Sequence, residues 1–223
     1  MQVDSTSAVF DLDGTLLAGD STGHWLKESL LTSWLRLLTG LALLPAAGPL
    51  LLHPRSRPAG ATPLFWLATF GLDEAALRAS FASFVARAQR GTSGLRWRER
   101  GLETLERHLA QGHRVVVVTG APALLAQSLL DARGLGERVT VLGTLLCLRA
   151  RGWTVQRHCH GAEKCRFLAE AGYGSAWSYA YSDSVEDAPI LARARQAFLV
   201  NARPRVLAGL RRRQLPQLSG LRW

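Results

Sequence analysis

Phe10-Asp11-Leu12-Asp13-Gly14-Thr15-Leu16 follows a short apolar run at residues 7–10 and decides how the rest of the chain is read. In a strand successive side chains alternate faces, so the carboxylates of Asp11 and Asp13 point the same way. Gly14 then lets the backbone turn. Two acids confined to one small space do not both ionise cheaply; one tends to stay charged while the other keeps a proton. Such a pair suits a nucleophile beside a general acid, or two oxygen ligands of a hard cation. A strand closed by an ordinary Asp/Gly turn would look the same over these seven residues. The choice falls to the rest of the chain.

Outward from this segment, residues 114–119 read as a second strand, with Val115 to Val118 apolar on both faces as in a buried parallel strand. Gly120-Ala121-Pro122 ends it, and residues 123–133 read as a helix. Residues 139–142 read as a strand, and 144–148 with 153–156 as a hairpin around Arg149-Ala150-Arg151-Gly152. Helical periodicity returns at 162–171, a strand at 177–181, a helix at 188–195 and a last strand at 197–200. This alternation predicts an α/β fold with a doubly wound, mostly parallel sheet. Residues 22–95 show no strand-like alternation and read as helical, with breaks at Pro45, Gly48, Pro49, Pro54 and Pro58. The expected organisation is a catalytic core of residues 1–21 and 96–223, with residues 22–95 inserted as an α-helical cap.

A chain of 223 residues suits one large domain, or one domain carrying such an insert. The three cysteines, Cys147, Cys159 and Cys165, and a start without basic and apolar signal regions predict a reducing cytoplasm with free thiols. The formal charge of +10 is almost all arginine, since Lys27 and Lys164 are the only lysines. A basic chain is drawn to anionic surfaces, and Arg211-Arg212-Arg213 is its densest cluster. No helix-turn-helix, zinc-finger or aromatic RNA-binding pattern is present, so nucleic acid is not an expected partner. His158-Cys159-His160 with Cys165 lacks the paired short spacings of a zinc site. Cys159 and Cys165 are expected instead as small apolar residues flanking Lys164.

Open α/β sheets collect ligands at the carboxyl ends of their strands. Asp11 and Asp13 follow the first strand, Thr119 ends the valine-rich one, and Asp183 and Asp187 follow the strand at 177–181. Lys164 opens the helix after the hairpin. Each has an ordinary explanation alone: Thr119 as a turn residue, Lys164 as a solvated lysine, Asp187 as an N-cap before Pro189. Together they supply nucleophile, acid, hydroxyl donor, cation and metal carboxylate on one rim.

This ordered set, Asp11-Leu12-Asp13-Gly14-Thr15, then Thr119, Lys164, and Asp183 with Asp187, resembles the haloacid dehalogenase superfamily of phosphotransferases. The resemblance implies a Rossmannoid core whose helical cap lies between the first and second motifs. It also implies Asp11 as the nucleophile that forms an aspartyl-phosphate, and Asp13 as general acid and then base. Mg²⁺ would be held by the Asp11 carboxylate, the Asp13 backbone carbonyl and Asp183. Thr119 and Lys164 would hold phosphate oxygens, and Asp187 would anchor Lys164 or the metal's water shell. A narrower resemblance, to the bacterial phosphatidylglycerophosphatase C group, rests on four segments. They are Thr69-Phe70-Gly71, Val118-Thr119-Gly120-Ala121-Pro122, Cys159-His160-Gly161-Ala162-Glu163-Lys164 and Tyr181-Ser182-Asp183-Ser184. Ser182 stands where many superfamily members have glycine, and the narrower group shares the serine.

The narrower resemblance implies a phospholipid phosphate substrate, phosphatidylglycerophosphate, hydrolysed at the cytoplasmic face of the bacterial inner membrane. The alternative is a soluble cytoplasmic enzyme acting on a small ester such as phosphoserine or histidinol phosphate. Residues 37–52 carry no charge and are flanked by Arg36, Arg55 and Arg57. A transmembrane helix needs about 20 apolar residues, and Pro45 and Pro49 break this shorter run. A single crossing would also part Asp11 from Thr119, Lys164 and Asp183. The reading is therefore an in-plane or re-entrant helical pair on an anionic membrane surface, with Trp25, Trp34, Phe65 and Trp66 at the interface. The plain alternative is the buried core of a helical cap. The oligomeric state is left open.

Overall fold

The computed structural model describes residues 6–32, 34, 38–42, 45, 57–201, 206, 209 and 218–223, with residues 57–61 by backbone alone. In chain order the strands are β1 (Ser7–Phe10), β2 (Leu17–Ala18), β3 (Arg96–Trp97), β4 (Arg114–Pro122), β5 (Thr140–Arg149), β6 (Gly152–Arg157), β7 (Trp177–Ser182), β8 (Ala194–Val200) and β9 (Leu218–Leu221). The helices are α1 (Ser21–Leu31), α2 (Arg57–Thr69), α3 (Glu74–Gln89), α4 (Glu99–Ala110), α5 (Ala123–Asp131), α6 (Ala162–Glu170) and α7 (Ala188–Leu191).

Seven strands form one sheet in the order β6-β5-β4-β1-β7-β8-β9, and β2 with β3 makes a separate antiparallel ribbon. Every pair in the large sheet is parallel except β5–β6. β1 is buried at all four positions because β4 and β7 flank it and a helical layer covers each face. The alternation of side chains divides the core. Phe10, Val115, Val117 and Tyr181 face one layer with Leu125 and Leu129, continuous with Trp25, Phe65, Phe81 and Phe84. Val9, Val116, Val118 and Ala180 face the other, with Phe167, Leu168 and Ile190. A mostly parallel, doubly wound sheet is what the strand–helix alternation predicted.

Several boundaries differ from the sequence reading. The expected strands at 139–142 and 144–148 are one strand, β5. The helix expected over 188–195 stops at Leu191, because Trp177 pairs with Ala194 and draws that segment into β8. The strand at 197–200 is not the last, since Leu218–Leu221 pairs with β8 beyond it. Pro58 does not break the chain. It occupies the first turn of α2, where a missing N–H costs nothing. Trp25 and Phe65 are core rather than interfacial: the Trp25 ring packs 5.2 Å from Phe65 and 4.9 Å from Phe81, and its Nε1 donates to Ser80 Oγ. Most of residues 37–52 and the Arg211-Arg212-Arg213 cluster lie outside the described residues. Among the described residues no helix is long and apolar enough to cross a membrane.

The hairpin at Arg149-Ala150-Arg151-Gly152 is present, and both central residues have positive φ, 48° and 66°. Such a turn normally uses Asn-Gly, and each non-glycine residue in this region costs about 1–2 kcal/mol. Contacts from the α2–α3 corner hold it. Gly71 N donates to Arg151 O at 2.6 Å, Trp66 Nε1 to Arg149 O at 3.0 Å, and Trp153 N to Thr69 Oγ1 at 2.9 Å. A Cβ at Gly152 would meet the Trp66 ring at 2.5 Å, so only glycine allows this approach.

Beneath the sheet, His108 of α4 is buried, with Nε2 2.9 Å from the Tyr181 hydroxyl and Nδ1 2.8 Å from His113 Nδ1. Two ring nitrogens at that distance share one proton, so at least one ring is neutral. Burial, with His113 and Arg107 nearby, pushes His108 down to about 4 from 6.5. The unfolded state therefore binds more protons between those values, and stability falls as pH drops from about 6.5 towards 4. His108→Gln should flatten that dependence by at most about 1.4 kcal/mol per pH unit. Urea midpoints of both proteins at pH 7 and pH 5 check it, and parallel changes would remove His108 as the cause.

Candidate active site

Phe10 pairs with Val117 and Tyr181, and the ladder runs one residue further, with Asp11 N donating to Tyr181 O at 2.9 Å. Asp11 thus sits at the carboxyl rim of the central strand with its side chain almost wholly buried. Lys164 Nζ donates to its Oδ1 at 2.7 Å, and the Thr15 hydroxyl reaches its Oδ2 at 3.1 Å. Burial drives the Asp11 carboxyl well above the ordinary range, Lys164 pulls it back, and Asp187 and Asp183 push it up again.

Lys164, in the first turn of α6, is 3% exposed and also donates to Asp187 at 2.9 Å. Burial opposes its charge, yet Asp11 and Asp187 outweigh it and hold the ammonium above the ordinary lysine range. Asp187 precedes α7, but its side chain makes no capping bond. It turns inward instead, accepting from Lys164 and, at 2.7 Å, from Ser182 Oγ. The α6 surface is tied to β6 by Arg157, which pairs with Glu163 and Glu170 and lies 4.1 Å over Phe167.

Asp13 stands apart from this ion-paired group. Its Oδ1 accepts from Ser21 N and its Oδ2 from Ser21 Oγ, both at 3.0 Å. Burial pushes its carboxyl up to about 7; the Ser21 amide pulls it down while Asp20 and Asp11 raise it. Both acids of the dyad are thus displaced upward, Asp11 against the pull of Lys164 and Asp13 with no ion-pair partner.

Asp183 is joined to Asp11 through Thr15. Asp183 N donates to Thr15 Oγ1 at 3.0 Å, and its Oδ1 lies 3.4 Å from the same hydroxyl. Burial, then Asp187, raises the Asp183 carboxyl. Its carboxylate lies against the Gly14 backbone, where a Cβ would fall 2.3 Å from Oδ2, and Gly14 has φ +83°. Both facts require glycine. Gly14→Ala should cost roughly 2 kcal/mol or more from the left-handed backbone and the collision. Urea unfolding measures this, and an unchanged midpoint would contradict the close approach.

Thr119 lies within the register shift of β4 between Val118 and Pro122, fully buried, its Oγ1 accepting from Ala121 N at 3.1 Å. Among the described residues its side chain makes the turn contact that the plain reading gives it, with the hydroxyl oxygen as acceptor. The site thus gathers Asp11, Lys164, Asp183 and Asp187 into one hydrogen-bonded group through Thr15. Asp13 and Thr119 hold their own partners beside it.

A family model described as haloacid dehalogenase-like hydrolase matches residues 8–192, most of the chain. The chain belongs to the haloacid dehalogenase-like hydrolase family. Solved structures of similar fold include a protein of unknown function from Bordetella pertussis Tohama I, at 20% identity and TM-score 0.71, covering 96% of this chain and 98% of that one. A substrate-bound phosphoserine phosphatase complex matches at 14% identity and TM-score 0.58, over 96% of this chain and 92% of that one. A phospho-aspartyl intermediate analogue of phosphoserine phosphatase matches at 14% and 0.55, over 96% and 93%.

In this hydrolase the acids outnumber their cation. Among the described ion pairs Lys164 serves Asp11 and Asp187, while Asp13 and Asp183 have no cationic partner. The Asp11 and Asp183 carboxylates converge on one hydroxyl and offer the hard oxygens that Mg²⁺ prefers. Among the described residues no three His, Cys, Asp or Glu side chains gather as a metal cage. The expected set needs only these two carboxylates and the Asp13 backbone carbonyl, so the donors present fit Mg²⁺.

Three contributors fall outside the expected site: Thr15, Ser182 and Ser21. Thr15 was visible inside the opening motif and Ser182 as a departure from glycine. Ser21 carried no signal. Cys159 and Cys165 are buried free thiols beside Lys164, as expected of small apolar residues, and burial pushes Cys159 up to about 12.

Proposed function

We propose that this hydrolase is a Mg²⁺-dependent phosphomonoesterase working through an aspartyl-phosphate on Asp11. The observation that carries the reading is the buried Asp11 carboxylate, aligned by Lys164 and Thr15 at the tip of the central strand, with a second carboxyl two residues on. Asp11 attacks phosphorus and the P–O bond to the leaving group breaks. Asp13, pushed up to about 7, gives its proton to the departing oxygen. Asp13 then takes a proton from water as that water attacks phosphorus and the Asp11–phosphate bond breaks, returning both carboxyls to their first state. Lys164 and the Thr119 hydroxyl bind phosphate oxygens, and Lys164 lessens repulsion between phosphate and Asp11. Asp187 and Ser182 orient Lys164. When bound by Asp11, Asp183 and the Asp13 carbonyl, Mg²⁺ supplies positive charge against the phosphate. The likeness to a phospho-aspartyl analogue of phosphoserine phosphatase supports Asp11 as nucleophile. Residues 22–95 serve as the cap that selects the leaving group.

The similarity in fold to phosphoserine phosphatase favours a small soluble phosphomonoester. One observation favours the second reading, a phospholipid phosphate such as phosphatidylglycerophosphate at an anionic membrane surface. Leu31, Trp34, Leu38 and Leu41 recur at intervals of three and four residues and are each more than half exposed. The test is Mg²⁺-dependent phosphate release from phosphoserine, p-nitrophenyl phosphate, and phosphatidylglycerophosphate in mixed micelles. No release from any of the three overturns the phosphatase. Turnover of the lipid well above both soluble esters selects the second reading, and the reverse selects the first.

A further inference from the structure

One residue grips both oxygens of the Asp13 carboxyl. The Ser21 amide donates to Oδ1 and the Ser21 hydroxyl to Oδ2, each at 3.0 Å. Ser21 is fully buried and is the first residue of α1, whose N-cap, Asp20, accepts from Gly23 N at 2.9 Å. Its position is therefore set by the helix it opens. The terminal torsion of an aspartate is otherwise broad, and two donors on opposite oxygens leave it one orientation. Resting on Asp13 as the proton donor proposed above, we propose that Ser21 is a positioning residue that aims the Asp13 carboxyl at the leaving-group oxygen.

Proton delivery matters in proportion to the basicity of the leaving group. An alkoxide must be protonated as its P–O bond breaks, whereas nitrophenolate departs as a stable anion. A misaimed acid therefore slows alkyl esters and spares the aryl ester. A merely structural role for Ser21 would slow both alike.

The experiment measures kcat/KM for p-nitrophenyl phosphate and for whichever alkyl monoester of the panel turns over fastest, at saturating Mg²⁺. This ratio reports only steps through P–O cleavage, so the later attack by water does not enter. Ser21→Ala should lose roughly tenfold or more on the alkyl ester and less than about threefold on the aryl ester. Ser21→Thr, which keeps the hydroxyl, should restore the parent ratio. Asp13→Asn should show the same selectivity at larger amplitude. A selective loss in Asp13→Asn with none in Ser21→Ala overturns the positioning role and leaves the acid in place. An unselective loss in Asp13→Asn overturns the acid itself. Should Ser21→Ala fail to fold, Ser21→Cys keeps the size with only a weak donor and carries the same comparison.

Discussion

Asp11→Asn abolishes phosphate release, lowering kcat by roughly 10⁴-fold or more, while the protein stays folded and melts close to the parent. The amide is nearly isosteric with the carboxylate, so its oxygen can still accept from Lys164 and its NH₂ can face the Thr15 hydroxyl. It cannot attack phosphorus. The folded state also loses a charge repelled by Asp187 and Asp183, and Lys164 keeps Asp187 as its partner. Stability therefore holds although a buried ion pair is removed. Steady-state phosphate release and a melting curve on the same preparation check both halves. Appreciable residual hydrolysis would sink the nucleophile assignment.

Lys164→Met has the opposite stability signature. It leaves Asp11 and Asp187 buried without their shared cation, and breaking a buried pair from one side typically costs about 3–5 kcal/mol. Catalysis falls too, by roughly 10²-fold or more in kcat, because the charge facing the transferring phosphoryl group is gone. The added substitution Asp187→Asn separates the two losses. It removes an uncompensated acid, so the double variant should regain part of the stability and none of the activity. Urea unfolding of the single and double variants decides it, and a single variant as stable as the parent would mean that the acids are not held ionised by Lys164.

Much of this was legible because burial writes itself into composition. β1 and β4 are covered on both faces, so their apolar runs are continuous, and the polar residues that end those runs, Asp11 and Thr119, stand out against grease. The strand Leu218–Leu221 lies at the sheet edge and is partly exposed, and β2 and β3 have two residues each, too few for any period to show. Thr15 sat in plain view, but the bridge it makes from Asp11 depends on its contact with Asp183, 168 residues further on. Trp25 was misread for a physical reason. A buried tryptophan and an interfacial one make the same demands, an apolar bed and a partner for the N–H, and Ser80 supplies the second from another helix. Ser21 offered only the ordinary profile of a residue that follows an N-cap. Its partner is an acid across a turn, which no local pattern encodes.

The β5–β6 hairpin has a mechanical consequence. Among the described residues, the helices between β2 and β3 are fastened to the rest of the fold through the β2–β3 ribbon at their ends, through the hairpin tip gripped by Trp66, Thr69 and Gly71, and through α3 packed on α5, where Gln89 Nε2 donates to Ala132 O. A body held at several separate places cannot lift away without tearing an attachment. How firmly these helices stay seated is thus partly the property of a turn that supplies none of the candidate site residues.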